Sequence, residues 1–455
     1  MALIHPTTQE IMLSELELFS LPPTQTSIEE TFYERYYPQT SLDKGGPLDF
    51  TIPAKDDLYI DPKYIFLYMK CRILDDEGNA LPSVTSAEVA DVPLGSYVFP
   101  INYFHATCFK SVDVFLNNKS VTSNDTLYGY KAYIETLLSY GYVTKDEQLR
   151  ASMFYKDKAP FDEISAAVDK TGADLSKNSG AVARWLRTRF SSVFESYGPV
   201  HSEFLSQCKL LPGDVELSIR LTRADPRFSL MAADATKRPT ISIDTAILYV
   251  CHKRVSDSIR LAHKLTLQKD ITIKYPVRRI QMKFFTRGMQ RSDLTEPNLI
   301  NGTLPRRIII GLVDSSAFNG DFKKSALNFQ HFNMTSVVLR KNGQAVPFQE
   351  IEMDFERKCS LQGYLTLLEG TGNLFRNNHG LHIQPFSDFS QGYALLAFDL
   401  TPDHSSSSTF QLIKQGNISL DIKLEKPSPV GITIVCYCEY DAVIEIQKDG
   451  TVTYE

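Results

Sequence analysis

The chain has 455 residues, 43% of them hydrophobic and 22% charged, and a formal net charge of −6. That length accommodates two or three domains, and either half is long enough to bury a core of its own. The acidic balance excludes a protein whose main work is to coat nucleic acid, which needs a field of Lys and Arg, and leaves room only for a local basic face.

The first residues, MALIHPTTQEIMLSELELF, lack the charged start and continuous apolar run of a signal peptide. No stretch reaches the ~18 apolar residues that span a membrane. Seven cysteines, odd in number and without CxxC spacing, suit reduced thiols in a cytosolic or nuclear setting. The asparagine sequons, such as Asn124-Asp125-Thr126, are accordingly expected to carry no sugar. Residues 1–45 contain Pro22-Pro23 and few periodic apolar positions, and read as an extended arm that gains order by contact.

Beyond the arm, period two dominates. PLDFTIP (47–53), YIFLYMKCRIL (64–74), SVDVFLNNKSV (111–121), 213–223 and ISIDTAILYV (241–250) read as strands. The second half continues with RRIQMKFFTR (278–287), RRIIIGLVD (306–314), SVVLRKNGQAV (336–346), YALLAFDL (393–400), 416–424 and ITIVCYCEYDAVIEI (432–446). Cys436 and Cys438, two apart in the last of these, face one side of a sheet as small core residues rather than metal ligands. Three segments read as helices: 126–141, with Leu127, Tyr130, Ile134, Leu137 and Leu138 on one face and Gly141 as its stop, then 256–267 and 361–370.

Several of these segments occur twice, in the same order. SVDVFLNNKSV matches SVVLRKNGQAV without gaps, each with an Asn-Asn or Asn-Gly pair suited to a two-residue hairpin turn. Asn102-Tyr-Phe-His105 stands before the first and Asn328-Phe-Gln-His331 before the second, while Tyr133–Leu138 and Tyr364–Leu368 follow them. GDVELSIRL (213–221) is then answered by GNISLDIKL (416–424). The first copy is about twenty residues longer between hairpin and strand, which places a polar insertion at about 155–200, expected as an exposed loop at one end of a sandwich. The fold class that follows is mainly β: two tandem eight-stranded jelly-roll sandwiches with a few short helices in connections. The expected division is an arm at 1–45, a first roll at 46–255, a linker helix at 256–270 and a second roll at 271–455.

Chemistry-bearing motifs are sparse. No phosphate-binding glycine loop, dinucleotide fingerprint, HExxH, nucleophile elbow or EF-hand occurs. His379 and His382, with His331 and His404 elsewhere, lack the His-x-Asp/Glu pair of a jelly-roll oxygenase and read as exposed loop residues. Basic runs at Arg184/Arg187/Arg189, at Arg278-Arg279 with Lys283 and Arg287, and at Arg306-Arg307 would either line a nucleic-acid-facing surface or form the solvated face of strands. TLYGYKAY offers either a stacking platform or a helix face packed on its own sheet. No catalytic, cofactor-binding or metal-binding residue is assigned, and no cofactor is expected.

The block 111–141, followed by Phe154-Tyr-Lys-Asp157, and the late block FDLTPDHSSSSTFQLIKQGNISLDIKLEK resemble the major capsid proteins of Polinton/Maverick elements and their adintovirus relatives. The similarity runs from about residue 15 to the end. It implies a double jelly-roll capsid protein of the adenovirus-hexon and PRD1-like lineage, forming a homotrimeric, pseudo-hexagonal capsomer of an icosahedral shell. The partners it implies are neighbouring capsomers, a minor or penton capsid protein, and weak contact with genome or internal proteins. The location it implies is the virion capsid, after synthesis in the host cytoplasm or nucleus. The arm would reach a neighbour or the inner side of the shell, and 155–200 and 288–303 would be outward turrets or inter-subunit loops. Two alternatives stay open: a glycan-binding attachment sandwich, and a jelly-roll hydrolase or oxygenase.

Overall fold

The computed structural model describes residues 7–454 except 10, 43–44, 83–96, 124–125, 163–177, 235, 237, 376–379 and 405–408. Among the described residues, sixteen principal strands form in two sets of eight. The first set is β1 (Ile28–Tyr36), β2 (Leu48–Ile52), β3 (Leu58–Leu74), β4 (Phe109–Leu116), β5 (Lys119–Ser120), β6 (Phe194–Pro199), β7 (Leu217–Arg223) and β8 (Thr240–Val255). The second is β9 (Ile273–Arg287), β10 (Asp293–Thr303), β11 (Arg307–Asp314), β12 (Met334–Lys341), β13 (Gln344–Glu352), β14 (Leu395–Asp399), β15 (Gln415–Leu424) and β16 (Ile432–Ile446).

The pairing order repeats with an offset of eight strands. The first set makes sheets β1-β8-β3-β6 and β2-β7-β4-β5, and the second makes β9-β16-β11-β14 and β10-β15-β12-β13. The repeated strands β7 and β15 therefore occupy the same place, flanked by the hairpin on one side and one further strand on the other. In β7, Leu217, Ile219 and Leu221 lie opposite Leu116, Val114 and Val112. In β15, Ile422 and Leu420 lie opposite Val337 and Leu339. All of these side chains are buried, so alternation along each strand fixes both its face and its register. The hairpin turns place Asn117 and Asn118 at φ 46° and 64°, and Asn342 and Gly343 at 52° and 83°, the two positive values a type I′ turn requires. At the start of the 213–221 segment, a Cβ on Gly213 would run into the backbone oxygens of Lys55 and Leu58, so only glycine fits.

Four helices matter for the packing: α1 (Tyr128–Ser139), α2 (Ser179–Thr188), α3 (Asp257–Gln268) and α4 (Leu361–Gly370). α1 and α4 follow the equivalent hairpins. α1 is buried nearly all round rather than on one stripe. Its Tyr130 ring packs against Phe318 at 5.7 Å and Phe329 at 6.2 Å, both from the second sandwich. On its other side, Lys131 donates to Glu203 at 2.6 Å, with side-chain exposures of 8% and 0%.

Four expectations change. β1 falls inside the stretch read as an arm, and pairs with β8 as β9 pairs with β16. It escaped the sequence pattern because it is an edge strand with no fully buried residue, and its alternation is masked by Glu29, Glu30, Glu34 and Arg35. Residues 293–303, read as a loop, form β10, whose register shift between Glu296 and Ile300 accommodates Pro297. Gly141 is not a left-handed stop: at φ −80° it begins the next short helix, Tyr142–Asp146. The middle of the insertion at 163–177 lies outside the described residues, but its flanks are core and not exposed loop. Phe161 and Trp185 are buried. Arg184, 1% exposed, donates to Asp157 at 2.7 Å and to the carbonyls of Pro100 and Tyr155. The Asn178 side chain caps α2 by accepting from the Ala181 N–H.

Truncating Trp185 to alanine is expected to cost about 3–5 kcal/mol, because it leaves a large cavity in a closed core. The exposed Leu265 of α3, truncated in the same way, should change stability by less than about 0.5 kcal/mol, both read from urea unfolding midpoints.

Candidate functional site

The polar residues that look most like chemistry lie in the first sandwich, around the short helix Phe104–Thr107. The Tyr103 hydroxyl meets His201 Nε2 at 2.5 Å, and His201 Nδ1 lies 3.2 Å from Glu135 of α1. Beside them His105 Nδ1 and Ser196 Oγ are 2.8 Å apart. Tyr–His–Glu and His–Ser contacts are the raw material of general acid–base or nucleophilic catalysis. Here Tyr103, His105 and Ser196 are closed off from solvent, at 0%, 2% and 0% exposure. Burial, and then the neighbouring His201, push the His105 imidazole down to about 3, so it is neutral across the physiological range. Burial alone would raise the Glu135 carboxyl, but the His201 hydrogen bond and Lys131 outweigh it and hold it below the ordinary value.

Five cations of the basic runs, Arg184, Arg278, Arg287, Arg306 and Arg307, are matched within the protein. Arg278 on β9 lies opposite Asp441 of β16 in register and within 3.0 Å of it, and Arg307 on β11 lies opposite Glu439 at 3.6 Å. Arg306 also approaches Asp441, and Arg287 pairs with Glu296. Two acids on the central strand thus neutralise cations from both flanking strands. Arg184 is buried in its ion pair, whereas Arg187 is exposed.

The histidines do not converge. His331 stacks on Phe355 at 4.0 Å, His382 sits edge-on to Tyr142 at 4.4 Å, His404 is exposed, and His379 lies outside the described residues. Among the described residues, no three His, Cys, Asp or Glu side chains come together as a metal-binding group. Cys436 and Cys438 are fully buried in the core, and burial raises both thiols, that of Cys438 to about 12. No described helix is long and apolar enough to cross a membrane.

What the surface presents instead is uncovered apolar area. In the arm, Ile11, Leu16, Leu18, Phe19 and Leu21 are 64–99% exposed. α3 buries none of its residues, with Leu261 and Leu265 facing solvent over a groove of about 510 Å³ lined by Tyr59, Leu210, Ile259 and Leu267. Leu412 and Ile413 form a third patch at 82% and 80% exposure. Contiguous exposed apolar patches are a common feature of surfaces that meet other macromolecules. Sequence periodicity finds α3 but says nothing of what covers it.

No family model matches the chain. An uncharacterized protein of Caenorhabditis elegans is 24% identical over 430 residues, 94% of this chain and 97% of that protein. Among solved structures, a chain of the Sputnik virophage is similar with a TM-score of 0.63 and 12% identity, over 100% of this chain and 94% of that one. The chain has the double jelly-roll fold. The mavirus major capsid protein superposes with a TM-score of 0.56 and 11% identity, over 99% and 96%. The PBCV-1 virus capsid gives 0.53 and 10%, over 96% and 98%. The likeness therefore extends over both rolls and both chains almost end to end.

His105 also sets a pH dependence. Its folded value lies far below the unfolded value of about 6.5, so between those limits the unfolded chain binds more protons. The stability it contributes is complete above about pH 6.5 and is lost as the pH falls towards 3. Urea midpoints between pH 7.5 and 4.5 should fall, less steeply in His105→Gln; an equal slope in the variant would contradict this assignment.

Proposed function

We propose that this double jelly roll is a structural capsid protein. The observation that carries the reading is the end-to-end likeness of both rolls to chains from a virophage, a mavirus major capsid protein and a virus capsid. The proposal assigns the chain no catalytic step, consistent with the enclosure of Tyr103, His105 and Ser196.

The duplication gives this role a geometry. Three chains, each with two rolls of the same strand order, present six similar wedges around a threefold axis and fill a near-sixfold lattice position with one gene product. The finer proposal is a homotrimeric capsomer of an icosahedral shell, meeting neighbouring capsomers and a minor or penton protein, with weak contact to genome or internal proteins. Its resemblance to Polinton/Maverick and adintovirus capsid proteins supports placing the chain in that lineage. The nematode relative of equal span fits a gene carried within animal genomes. In this proposal residues 11–26 leave the body of the first roll and bury their apolar side chains against a neighbour.

Light scattering on the purified protein should give three times the 51.4 kDa chain mass, and electron microscopy a triangular particle on a six-lobed base. Monomer alone at high concentration would sink the proposal. Replacing Leu16, Leu18, Phe19 and Leu21 with serine should leave the thermal midpoint of the dissociated single chain unchanged, since these side chains are exposed in it. Because each buried apolar side chain contributes about 1.5–3 kcal/mol, it should also weaken association by at least about tenfold.

A further inference from the structure

A second cavity, polar and of about 730 Å³, opens where the two rolls meet. The first roll contributes the helix Tyr142–Asp146, residues 150–159 and the N-terminal end of α2, and the second contributes 382–391. Four cations line it, Lys145, Arg150, Lys156 and Lys158, against two carboxylates, Asp146 and Asp388. Both carboxylates are already matched: Arg150 holds Asp146 at 2.5 Å and Lys156 holds Asp388 at 2.6 Å. Lys145 and Lys158 form no ion pair among the described residues.

Lys145 is the unusual member. It is 3% exposed, and its ammonium donates to two neutral acceptors, the carbonyls of Leu137 and Leu381, each at 2.6 Å. A buried cation with no carboxylate is costly. Beside it, Ser179 and Gly180 bring the positive end of the ten-residue α2 to the same cavity.

We propose that this cavity binds a small phosphorylated ligand, its phosphate oxygens lying among Lys145, Arg150, Lys158 and the N-terminal end of α2. The volume exceeds one bare ion and falls in the range of small-molecule sites. The guanidinium fork, the lysine point charges and the helix end are the donors that phosphate takes. A nucleic-acid polymer fits less well, because in the other basic runs Arg278, Arg306 and Arg307 are matched by Asp441 and Glu439, and Arg279 lies over the Tyr454 ring. With Lys156, Lys158, Arg150, Asp146, Asp388 and His382 facing it, burial and then Lys156 push Lys145 down to about 7. A bound phosphate restores its proton, so binding at pH 8 takes up protons. The ligand would tie the first roll to the second at the point where Lys145 already reaches the Leu381 carbonyl.

Thermal unfolding of the full chain with inorganic tripolyphosphate tests this, against sodium chloride of equal ionic strength. The midpoint should rise saturably with tripolyphosphate alone. Arg150→Ser with Lys158→Ser should keep the ligand-free midpoint and bind at least tenfold more weakly, and Lys145→Met should lose the rise. Lys110→Glu with Lys119→Glu, on the exposed side of the first roll, should keep it in full. No saturable rise, or equal losses in the Lys110/Lys119 control, would overturn the site. Displacement of tripolyphosphate by a lower concentration of a twenty-nucleotide oligothymidine would overturn the small-ligand assignment. The oligomeric state is read separately, so the capsid proposal and this one can fail independently.

Discussion

Glu203 carries a carboxylate with no solvent exposure, between the two rolls. It accepts the Lys131 ammonium from α1 and the Ile280 N–H from β9, the first strand of the second roll. Oε1 takes both bonds while Oε2 finds no hydrogen-bond partner, so neutralisation of the carboxylate rests on Lys131. A buried carboxylate survives only with such partners, because removing one leaves an uncompensated charge costing several kcal/mol. The pair therefore clamps α1 in one orientation, and that orientation sends Tyr130 and Tyr133 against Phe329 of the second roll. The relative placement of the rolls, and the cavity between them, depend on this clamp.

The rest of the seam repeats the same economy at lower stakes. Asp162 accepts from the Ser325 N–H, Tyr393 donates to the Asp157 carbonyl, and Asn117 in the first hairpin reaches the Gly450 carbonyl near the C-terminus. Each bond joins residues more than 160 positions apart in the chain. The polar groups that first look like catalytic machinery belong to this construction. Tyr103, His105 and Ser196 hold the packing of the first roll, and the apolar patches lie apart from them at the arm, α3 and Leu412-Ile413.

The legible parts of the chain were those where one physical rule acts alone. β4, β7, β12 and β15 sit inside sheets with one face buried, so their alternation is undisturbed and the duplication shows through it. The Asn-Asn and Asn-Gly turns are equally plain, since few residues tolerate two positive φ values. β1 was hidden because an edge strand answers to solvent as well as to its sheet, and β10 because Pro297 and its bulge break the period. Arg184 reads as a surface charge until Asp157, twenty-seven positions earlier, is seen to meet it. The seam cavity had no local signature at all: its cations come from 145–158, its helix end from 179–180 and its far wall from 382–391. Each of those segments alone is a short helix, helix end or turn with no charge pattern of its own.

The strand order has a bearing on how the protein is made. In each roll the last strand of the set, β8 or β16, lies between the first and the third, so the outer sheet stays split until that strand inserts. On the ribosome the first roll cannot close before residue 255 has emerged, and by then every one of its strands is present. α3 then supplies a spacer before any strand of the second roll appears. The like-patterned β7 and β15 thus reach their sheets one after the other rather than in competition. A chain interrupted just short of β8 would expose the unpaired edges of β1 and β3, the longer of them a run of seventeen residues, as templates for aggregation.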